Sequence, residues 1–488
     1  MNLSVVLPMT LYLLAVFIIG YLSSRHLRST PHFLQAYFLG GRELGGFVLA
    51  MTMVATYGSA SSFLGGPGTA YTLGLGWVLL AMSQLVTGYF TLAVLGKKFA
   101  IVSRKMNAVT LVDFLKERYR NQWVVILSAI SIVVFLFSAM AAQWVGGGRL
   151  IQSITGIPYE AALFIFAVTV LVYVAIGGFR AVAMTDAIQG LIMLGGTILL
   201  LVATIQVGGG VSQIINQLAE ENPRLITPYG ADGSLTPLYV SSFWILVGVG
   251  VVGLPQVAVR AMSYRDSRAM HRAMVIGTVV VGIIMLGMHL IGVFARVVIP
   301  GVEVGDMVMP LLALEVLPPW VAGLVLAAPM AAIMSTVDSL LLMVSSSIVK
   351  DLYLNYLRPR ATEQNLRRLS ITVTAVVGLL MFVMAIRPPE LLIWLNLYAF
   401  GGLEAAFLWP IVLGLYWKKG NANGALASIV IGVGTYLLFG RFWPDPLGMH
   451  GVVLPVLLSL IAYVVVSLLT AHRNQVEQRE IVQRFWGA

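Results

Sequence analysis

Two adjacent hydroxyl residues, Ser335 and Thr336, stand in the middle of an apolar stretch, LAAPMAAIMSTVDSLLLMVSSSIVKDLY at 326–353. Single serines and threonines in a membrane helix usually bond back to their own helix. A hydroxyl pair that faces unwound backbone is different, because a small hard cation such as Na⁺ is bound by oxygen ligands rather than softer ones. Two hydroxyls and a few freed carbonyl oxygens would supply such a set without a buried net charge.

Unwound backbone is indicated at two places in the chain. The segment MVATYGSASSFLGGPG, residues 53–68, puts serines and glycines between apolar flanks. The segment WILVGVGVVGLPQVAVR, residues 244–260, carries three glycines before Pro255, and a proline inside a helix removes a backbone hydrogen bond. Irregular backbone is tolerated at membrane depth only where protein or a water-filled cavity satisfies the freed polar groups.

Covalent catalysis has little support in the sequence. The chain has no cysteine, which excludes disulfides, thiolate metal sites and cysteine nucleophiles. Its six histidines are scattered and form no H-E-x-x-H motif. A channel would more naturally repeat one pore motif, and a sensor would need an output domain for which 472–488 is too short. We therefore expect a transporter rather than an enzyme, channel or sensor.

The composition is that of an integral membrane protein. Of 488 residues, 59% are hydrophobic and 10% are charged, whereas soluble domains carry about 25% charged residues. The mean hydropathy is +0.91. Apolar runs of about 20 residues predict thirteen spans: 3–23, 45–70, 75–95, 124–152, 159–177, 184–206, 239–259, 272–297, 308–346, 368–386, 390–416, 423–440 and 451–471.

Lysine and arginine predict the orientation of these spans, because cytoplasmic loops carry an excess of both. With the N-terminus outside, 25 of the 30 lysines and arginines fall in cytoplasmic segments. The other five are Arg149, Arg224, Arg296, Arg387 and Arg441. This distribution explains the net charge of +10 without a nucleic-acid partner. The same distribution places 207–238 outside as a loop, and the periodicity of VSQIINQLAEE predicts a helix in it. Residues 97–122 are predicted to form an amphipathic cytoplasmic helix.

The two interrupted spans lie five spans apart, so the halves 45–206 and 239–416 have opposite orientations in the membrane. Secondary transporters often consist of two inverted repeats whose first helices are both broken at the midplane. Glycine also provides packing surface between membrane helices, which is the alternative explanation. On the repeat interpretation, 1–488 is one transmembrane domain, with an extra helix at 3–23, two more at 423–471 and a tail at 472–488.

Several segments resemble the sodium:solute symporter family: ATYGSASSFLGG (55–66), GGFRAVAMTDAIQG (177–190), MAAIMSTVDS (330–339) and FLWPIVLGLYWKKGNANGA (407–425). The resemblance implies an all-α LeuT-like core of five helices plus five inverted, with one helix before it and two after. Longer matches such as YFLGGRELGGFVLAMTMVATYGSASSFLGGPGTAY are most similar to members that carry pantothenate. The resemblance therefore implies sodium-coupled import of pantothenate across a bacterial inner membrane, without an organic cofactor. Proline, a sugar or another carboxylate is the alternative cargo.

The resemblance also implies which residues bind sodium. The backbone carbonyls of Ala55, Gly58 and Ala332 join the hydroxyls of Ser335 and Thr336. Asp186, in AMTDAIQG, aligns with a family acid near the inner sodium route. Its alternative role is to pair with Arg180 at the cytoplasmic end of the span.

A substrate site for the small pantothenate anion needs hydrogen-bond donors and, for its carboxylate, a cation or a half-helix N-terminus. Polar residues expected to face the broken helices are Tyr57, Ser61, Ser62, Gln84, Gln143, Gln256, Asn396 and Tyr398. Each of them could instead bond neighbouring helices. Arg149, near the outer end of span 4, is a candidate for steering the carboxylate, or it could pair with Glu160. His289 is expected in the core or lining the pore, and the role of Glu404 is left open.

Overall fold

The computed structural model describes residues 3–27, 42–388, 391–471 and 475–486, without the side chains of 20–21, 23–27, 172–184 and 475–477. In this part of the chain every regular element is helical. The first half contains α1 (Leu3–Leu27), α2 (Gly46–Tyr57), α3 (Ser61–Leu73), α4 (Leu75–Lys105), α5 (Leu111–Tyr119), α6 (Gln122–Thr155), α7 (Tyr159–Val207) and α8 (Val211–Glu221). The second half contains α9 (Pro237–Gly253), α10 (Pro255–Ser263), α11 (Ser267–Val298), α12 (Val308–Val316), α13 (Pro319–Leu357), α14 (Glu363–Ala385), α15 (Ile393–Tyr416), α16 (Ala422–Phe442), α17 (Val453–Leu469) and α18 (Gln475–Trp486).

The described helices match a multi-pass membrane protein. Eight of them are long and apolar enough to cross a membrane, and two bent helix pairs make up to 10 crossings. Shorter apolar helices at Leu3–Ile19, Tyr159–Leu171 and Val453–Leu469 lie where spans 1, 5 and 13 are predicted. The total of thirteen spans stays a prediction.

Both predicted interruptions are present as sharp bends. The α2–α3 pair bends by 64° and the α9–α10 pair by 51°. At the first bend Gly58 has extended backbone (φ −67°, ψ 124°) and ends α2. At the second, Leu254 is extended and Pro255 begins α10, in the first turn of a helix, where a missing N–H does no harm. Glycine and proline therefore mark both breaks, as the sequence predicts.

Two predicted boundaries are wrong. Span 9, predicted at 308–346, is two helices, because Leu317 and Pro318 are extended and Pro319 starts a new helix, α13. The single amphipathic helix predicted in 97–122 is also two. Thr110 accepts a hydrogen bond from the Asp113 N–H while the Asp113 carboxylate bonds back to Thr110, and this capping box begins α5.

Two other expectations concern α7 and the loop after it. Helical structure runs through Tyr159–Val207, and the turn predicted between 159–177 and 184–206 lies where side chains are not described. The helix predicted in VSQIINQLAEE is confirmed as α8, which buries Ile214 and Leu218. Glu221 at its end accepts a hydrogen bond from Arg296 of α11 at 2.7 Å, so the loop is tied to the helical body.

The broken helices lie at the centre of the molecule. All residues from Leu49 to Thr56 on α2 are buried, and 83% of the apolar window of α13 is buried, against 33% for α14 and for α16. In a membrane the outer helices present apolar side chains to lipid, so a helix with many exposed apolar side chains lies at the periphery of the bundle. The first broken span and α13 therefore lie inside the helix bundle.

The outer half of the first broken span is packed without room for a side chain at Gly68. A Cβ built there would lie 2.4 Å from the carbonyl carbon and oxygen of Gly305. We expect Gly68→Ala to lower the free energy of unfolding by about 1–3 kcal/mol through overpacking. The measurement is thermal unfolding of the purified protein in detergent.

Gly195→Ala is the matched control, because nothing lies within 4 Å of a Cβ built at that mid-helix glycine. Alanine has the higher helix propensity, so the control should be neutral or slightly stabilising. Equal melting temperatures for the two variants would contradict the tight contact at Gly68.

Candidate functional site

The end of α2 leaves backbone carbonyls without helical partners. The Gly58 N–H closes the last turn by donating to the Val54 carbonyl at 2.8 Å. The chain is extended at Gly58, so the carbonyls of Ala55 and Gly58 lose their partners in the helix. Inside a membrane these oxygens need another donor or a cation.

Two hydroxyls of α13 reach these carbonyls. Ser335 Oγ lies 3.0 Å from the Ala55 oxygen and 3.1 Å from the Ala332 oxygen. Thr336 Oγ1 lies 2.8 Å from the Gly58 oxygen and 2.9 Å from the Ala332 oxygen. The five oxygens predicted from the sequence are thus brought together across 280 residues of chain, and we call them the oxygen cage.

The oxygen cage has more acceptors than protons. Each hydroxyl carries one proton, so two protons are shared among five oxygens, three of which are carbonyls. Ser335 is completely buried and Thr336 is 7% exposed. The described residues contain no group of three or more histidine, cysteine or acidic side chains that could hold a metal ion. A neutral, electron-rich oxygen set of this kind suits a small monovalent cation.

Next to the oxygen cage, four helices meet at a buried ion pair that the sequence analysis missed. Arg260 Nη2 lies 3.3 Å from Asp186 Oδ2, with side-chain exposures of 1% and 0%. Thr52 Oγ1 donates to the same carboxylate oxygen at 2.5 Å, and Arg260 Nε donates to the Thr52 carbonyl at 3.0 Å. Asp186 is paired with Arg260, while the side chain of the alternative partner Arg180 lies outside the described residues.

The ion pair is connected to the oxygen cage through one serine. Arg260 Nη2 donates to Ser339 Oγ at 2.8 Å, and Ser339 Oγ donates to the Ser335 carbonyl at 2.9 Å. A cavity of about 10 Å³ is lined by Arg260 and Ser339 together with Val109 and Thr110. A void of that size holds one water at most. The lysine and arginine distribution assigns Arg260 to a cytoplasmic segment. Its position four residues after Gln256, at the end of an apolar run, is the signal that it belongs to the helix instead.

Two of the predicted substrate residues stabilise the first break instead. Ser62 Oγ donates to the Tyr57 carbonyl at 3.0 Å. Gln143 on α6 accepts from the Ala60 N–H through Oε1 at 2.8 Å and donates to the Ala139 carbonyl through Nε2 at 3.3 Å. Both side chains occupy backbone groups that the break would otherwise leave unpaired.

Two others keep unused buried oxygen atoms. Ser61 Oγ, beside the first break, and Gln256 Oε1, beside the second, have no hydrogen-bond partner in the described structure. Ser61 is 5% exposed and Gln256 is 4% exposed. Tyr57 pairs its hydroxyl with Thr91 Oγ1 at 3.2 Å. Each break therefore has beside it one buried polar atom without a partner among the described residues.

The remaining predicted substrate residues are less clearly placed at the breaks. Gln84 is half-buried on a 3₁₀ segment of α4, and Asn396 is buried on α15. Tyr398 is 42% exposed, and its ring contacts Phe135 and Tyr436 at 5.9 and 5.5 Å between centroids. The structure therefore directs Tyr398 toward α6 and α16 rather than to a break.

Arg149 is stacked on the ring of Tyr159, 4.9 Å from its centroid, and donates to Gln152. The positive charge of Arg149 also acts on Asp306, a buried acid in the loop between α11 and α12 whose Oδ2 accepts from the Leu392 N–H. Burial raises the pKa of Asp306 to about 7. The described ion pairs include none between Arg149 and Glu160.

Two buried ionisable residues lie against the broken spans. His289 Nδ1 is 2.6 Å from the Met285 carbonyl, and its Nε2 would lie 2.6 Å from a Cβ built at Gly66. His289 is thus a core residue packed on α3. Glu404 on α15 is completely buried against Gly250 at the second break.

The chain is similar to characterised proteins along nearly its whole length. The model of the sodium:solute symporter family matches residues 37–432. The sodium/pantothenate symporter of Escherichia coli (strain K12) is 52% identical over 467 residues, which are 95% of this chain and 96% of that protein. The sodium/pantothenate symporter of Haemophilus influenzae (strain Rd) is 50% identical over 486 residues, 99% of both chains. These relatives are transporters, which confirms the expectation that the chain is not an enzyme.

A solved structure shares the fold. The substrate-bound outward-open state of a Na⁺-coupled sialic acid symporter superposes with a TM-score of 0.79 at 20% identity, covering 96% of this chain and 98% of that one. At this identity the likeness concerns the fold alone. The all-α LeuT-like fold expected from the sequence is confirmed.

Losing one partner of the Asp186–Arg260 pair is expected to destabilise the protein more than losing both partners. Removing one partner from a buried ion pair leaves an uncompensated charge and typically costs about 3–5 kcal/mol, whereas removing both can be nearly neutral. We expect Arg260→Met to lower the melting temperature more than Arg260→Met combined with Asp186→Asn. Additive effects in this double-mutant cycle would show that the two charges are not coupled.

Proposed function

The chain belongs to the sodium:solute symporter family, and from that premise we propose that it imports pantothenate with sodium across a bacterial inner membrane. The observation that carries the substrate is the identity of 50–52% with sodium/pantothenate symporters over 95–99% of the chain. Sodium coupling follows from the family itself. The N-terminus is outside and the C-terminus is cytoplasmic, as the distribution of lysine and arginine supports.

The oxygen cage is the proposed sodium site. Its support is chemical: five oxygens from Ala55, Gly58, Ala332, Ser335 and Thr336 converge with no charged group among them. Hydroxyls that donate to carbonyls without the ion would turn their lone pairs toward it when it binds. Sodium then replaces hydrogen bonds with ion–oxygen contacts and holds α2 and α13 together.

Sodium is coupled to pantothenate because it holds α2 and α13 together. In proteins of this kind the cargo sites lie at the midplane between the repeats. A ligand shifts a conformational equilibrium only by its differential affinity for the two states. Sodium that binds only when α2 and α13 are close favours the arrangement in which the break of α2–α3 is ordered for the cargo. The inward sodium gradient supplies the work of import.

Pantothenate carries a diol, an amide and a carboxylate, so its site needs acceptors as well as donors. The unpartnered Gln256 Oε1 would accept from a diol hydroxyl, and Ser61 Oγ can donate or accept. Tyr57, Gln84 and Asn396 remain candidates beside them. Ser62, Gln143 and Tyr398 are weaker candidates because other contacts occupy them. Arg149 at the outer end of α6 would attract the carboxylate on entry.

A transport assay tests the proposed function directly. Purified protein in proteoliposomes should accumulate labelled pantothenate only when an inward sodium gradient is imposed. Excess unlabelled proline or a sugar should leave that uptake unchanged. Uptake that is independent of the gradient would refute sodium coupling, and transport of another solute without pantothenate would refute the substrate.

The sodium site is tested by removing its hydroxyls. Ser335→Ala and Thr336→Ala each remove one ligand oxygen, and a hydrogen bond to a charged group contributes about 1.5–3 kcal/mol. We therefore expect the sodium concentration for half-maximal uptake to rise roughly tenfold or more in each variant, since 1.4 kcal/mol is a factor of ten.

Ser346→Ala is the matched control on the same helix, because Ser346 Oγ bonds back to the Met343 carbonyl at 2.8 Å and touches no cage oxygen. Its sodium dependence should equal that of the unmodified protein. A double variant of Ser335 and Thr336 with unchanged sodium dependence would remove both residues from the site.

A further inference from the structure

A lone carboxylic acid is buried midway along α15. Glu404 is 0% exposed, and neither of its carboxylate oxygens has a hydrogen-bond partner among the described residues. Ionisable residues inside membrane spans are costly and almost always face the interior of the helix bundle. Glu404 takes no part in the oxygen cage or in the Asp186–Arg260 pair, so its burial needs a separate explanation.

Glu404 lies against the backbone of the second break. A Cβ built at Gly250 would be 2.4 Å from Glu404 Oε2 and 2.7 Å from its Cδ. One turn further, a Cβ at Gly253 would be 3.0 Å from the Leu408 nitrogen. Two glycines one turn apart therefore let the 3₁₀ turn Gly250–Gly253 pack directly on Glu404 and the next turn of α15.

The break segment brings no charge to Glu404, because Trp244–Gly253 contains no ionisable residue. On the other helices packed against α15, Tyr436 of α16 is the ionisable residue with an electrostatic interaction with Glu404. Arg118 is bonded to carbonyls at the C-terminal end of α15. Arg149 stacks on a tyrosine of α7, and Tyr463 is bonded to a tyrosine of α5. No described cation neutralises the carboxyl group.

An ionised carboxylate in such a place has neither solvent nor donors. Moving an isolated carboxylate into a low-dielectric interior costs several kcal/mol or more, and such a group takes up a proton instead. Sodium is a poorer occupant, because the site offers one side chain where a hard cation needs several oxygens. A proton requires only the carboxylate itself.

We propose that Glu404 is a proton-binding site separate from the oxygen cage. It holds a proton while Gly250–Gly253 is packed on it and releases the proton when this turn moves away. On release the O–H bond of the acid breaks, the electron pair stays on the carboxylate, and the proton passes to the water that enters. The first break thus binds a metal cation through neutral oxygens, whereas the second binds a proton through an acid.

The direction of the pH effect follows from linkage. Protons bind the packed arrangement better than the open one, so a low pH favours packing of Gly250–Gly253 on α15 and a high pH favours its release. Asp306 also titrates near neutral pH, but it is identical in every variant compared below and cancels from the differences.

Infrared spectroscopy tests the protonation without any transport measurement. At neutral pH the unmodified protein should show the C=O stretching band of a protonated carboxylic acid that is missing from Glu404→Gln. Glu315→Gln, at an exposed glutamate, should keep that band. A difference spectrum that instead shows the loss of an ionised carboxylate in Glu404→Gln would overturn the proposal, whether or not the protein transports pantothenate.

A thiol reporter tests the link to the break. The chain contains no cysteine, so Val252→Cys, at a buried position of the packed turn, provides a unique thiol. Its rate of alkylation in detergent should rise severalfold more with pH when residue 404 is glutamate than when it is glutamine. The Glu404→Gln background also corrects for ionisation of the thiol itself. Identical pH profiles in the two backgrounds would show that Glu404 does not control the turn.

Discussion

The chain frees backbone carbonyls in the middle of a membrane, where each unpaired polar group costs several kcal/mol, and much of the central structure meets that requirement. At the first break the Tyr57 carbonyl accepts from Ser62 and the Ala60 N–H donates to Gln143. The carbonyls of Ala55 and Gly58 receive hydroxyls from α13. At the oxygen cage the oxygens outnumber the protons available to them, which is the feature that supports the proposed sodium site.

The second break meets the same requirement differently. Its carbonyls are partly reused by local turns, as when the Leu254 N–H donates to the Val251 carbonyl at 3.0 Å. The Val247 carbonyl accepts from Thr87 of α4. Gly250 and Gly253 also let this segment pack closely on α15. This break is closed mainly by packing, and the ionisable side chain that α15 presents to it is Glu404.

Sequence patterns predicted the breaks well because glycine and proline act locally. Gly58 and Pro255 stand where the backbone bends, and Ser335 with Thr336 was conspicuous in an apolar helix. The same patterns failed where tertiary contacts decide which partner a polar side chain has. The sequence assigns Arg260 to a cytoplasmic segment, because its partner Asp186 lies 74 residues earlier in the chain. Ser62 and Gln143 looked free for a ligand because a sequence does not show which polar groups already have partners.

Arg260 connects the helices around the two breaks. Its guanidinium bonds Thr52 of α2, Asp186 of α7 and Ser339 of α13 while its own backbone belongs to α10. One side chain thus joins both broken spans to the two helices beside them, and Arg260 lines a cavity of one water's size together with Val109 and Thr110. Ser339 bonds Arg260 and the Ser335 carbonyl at once, so one turn of α13 connects the Asp186–Arg260 pair with the oxygen cage.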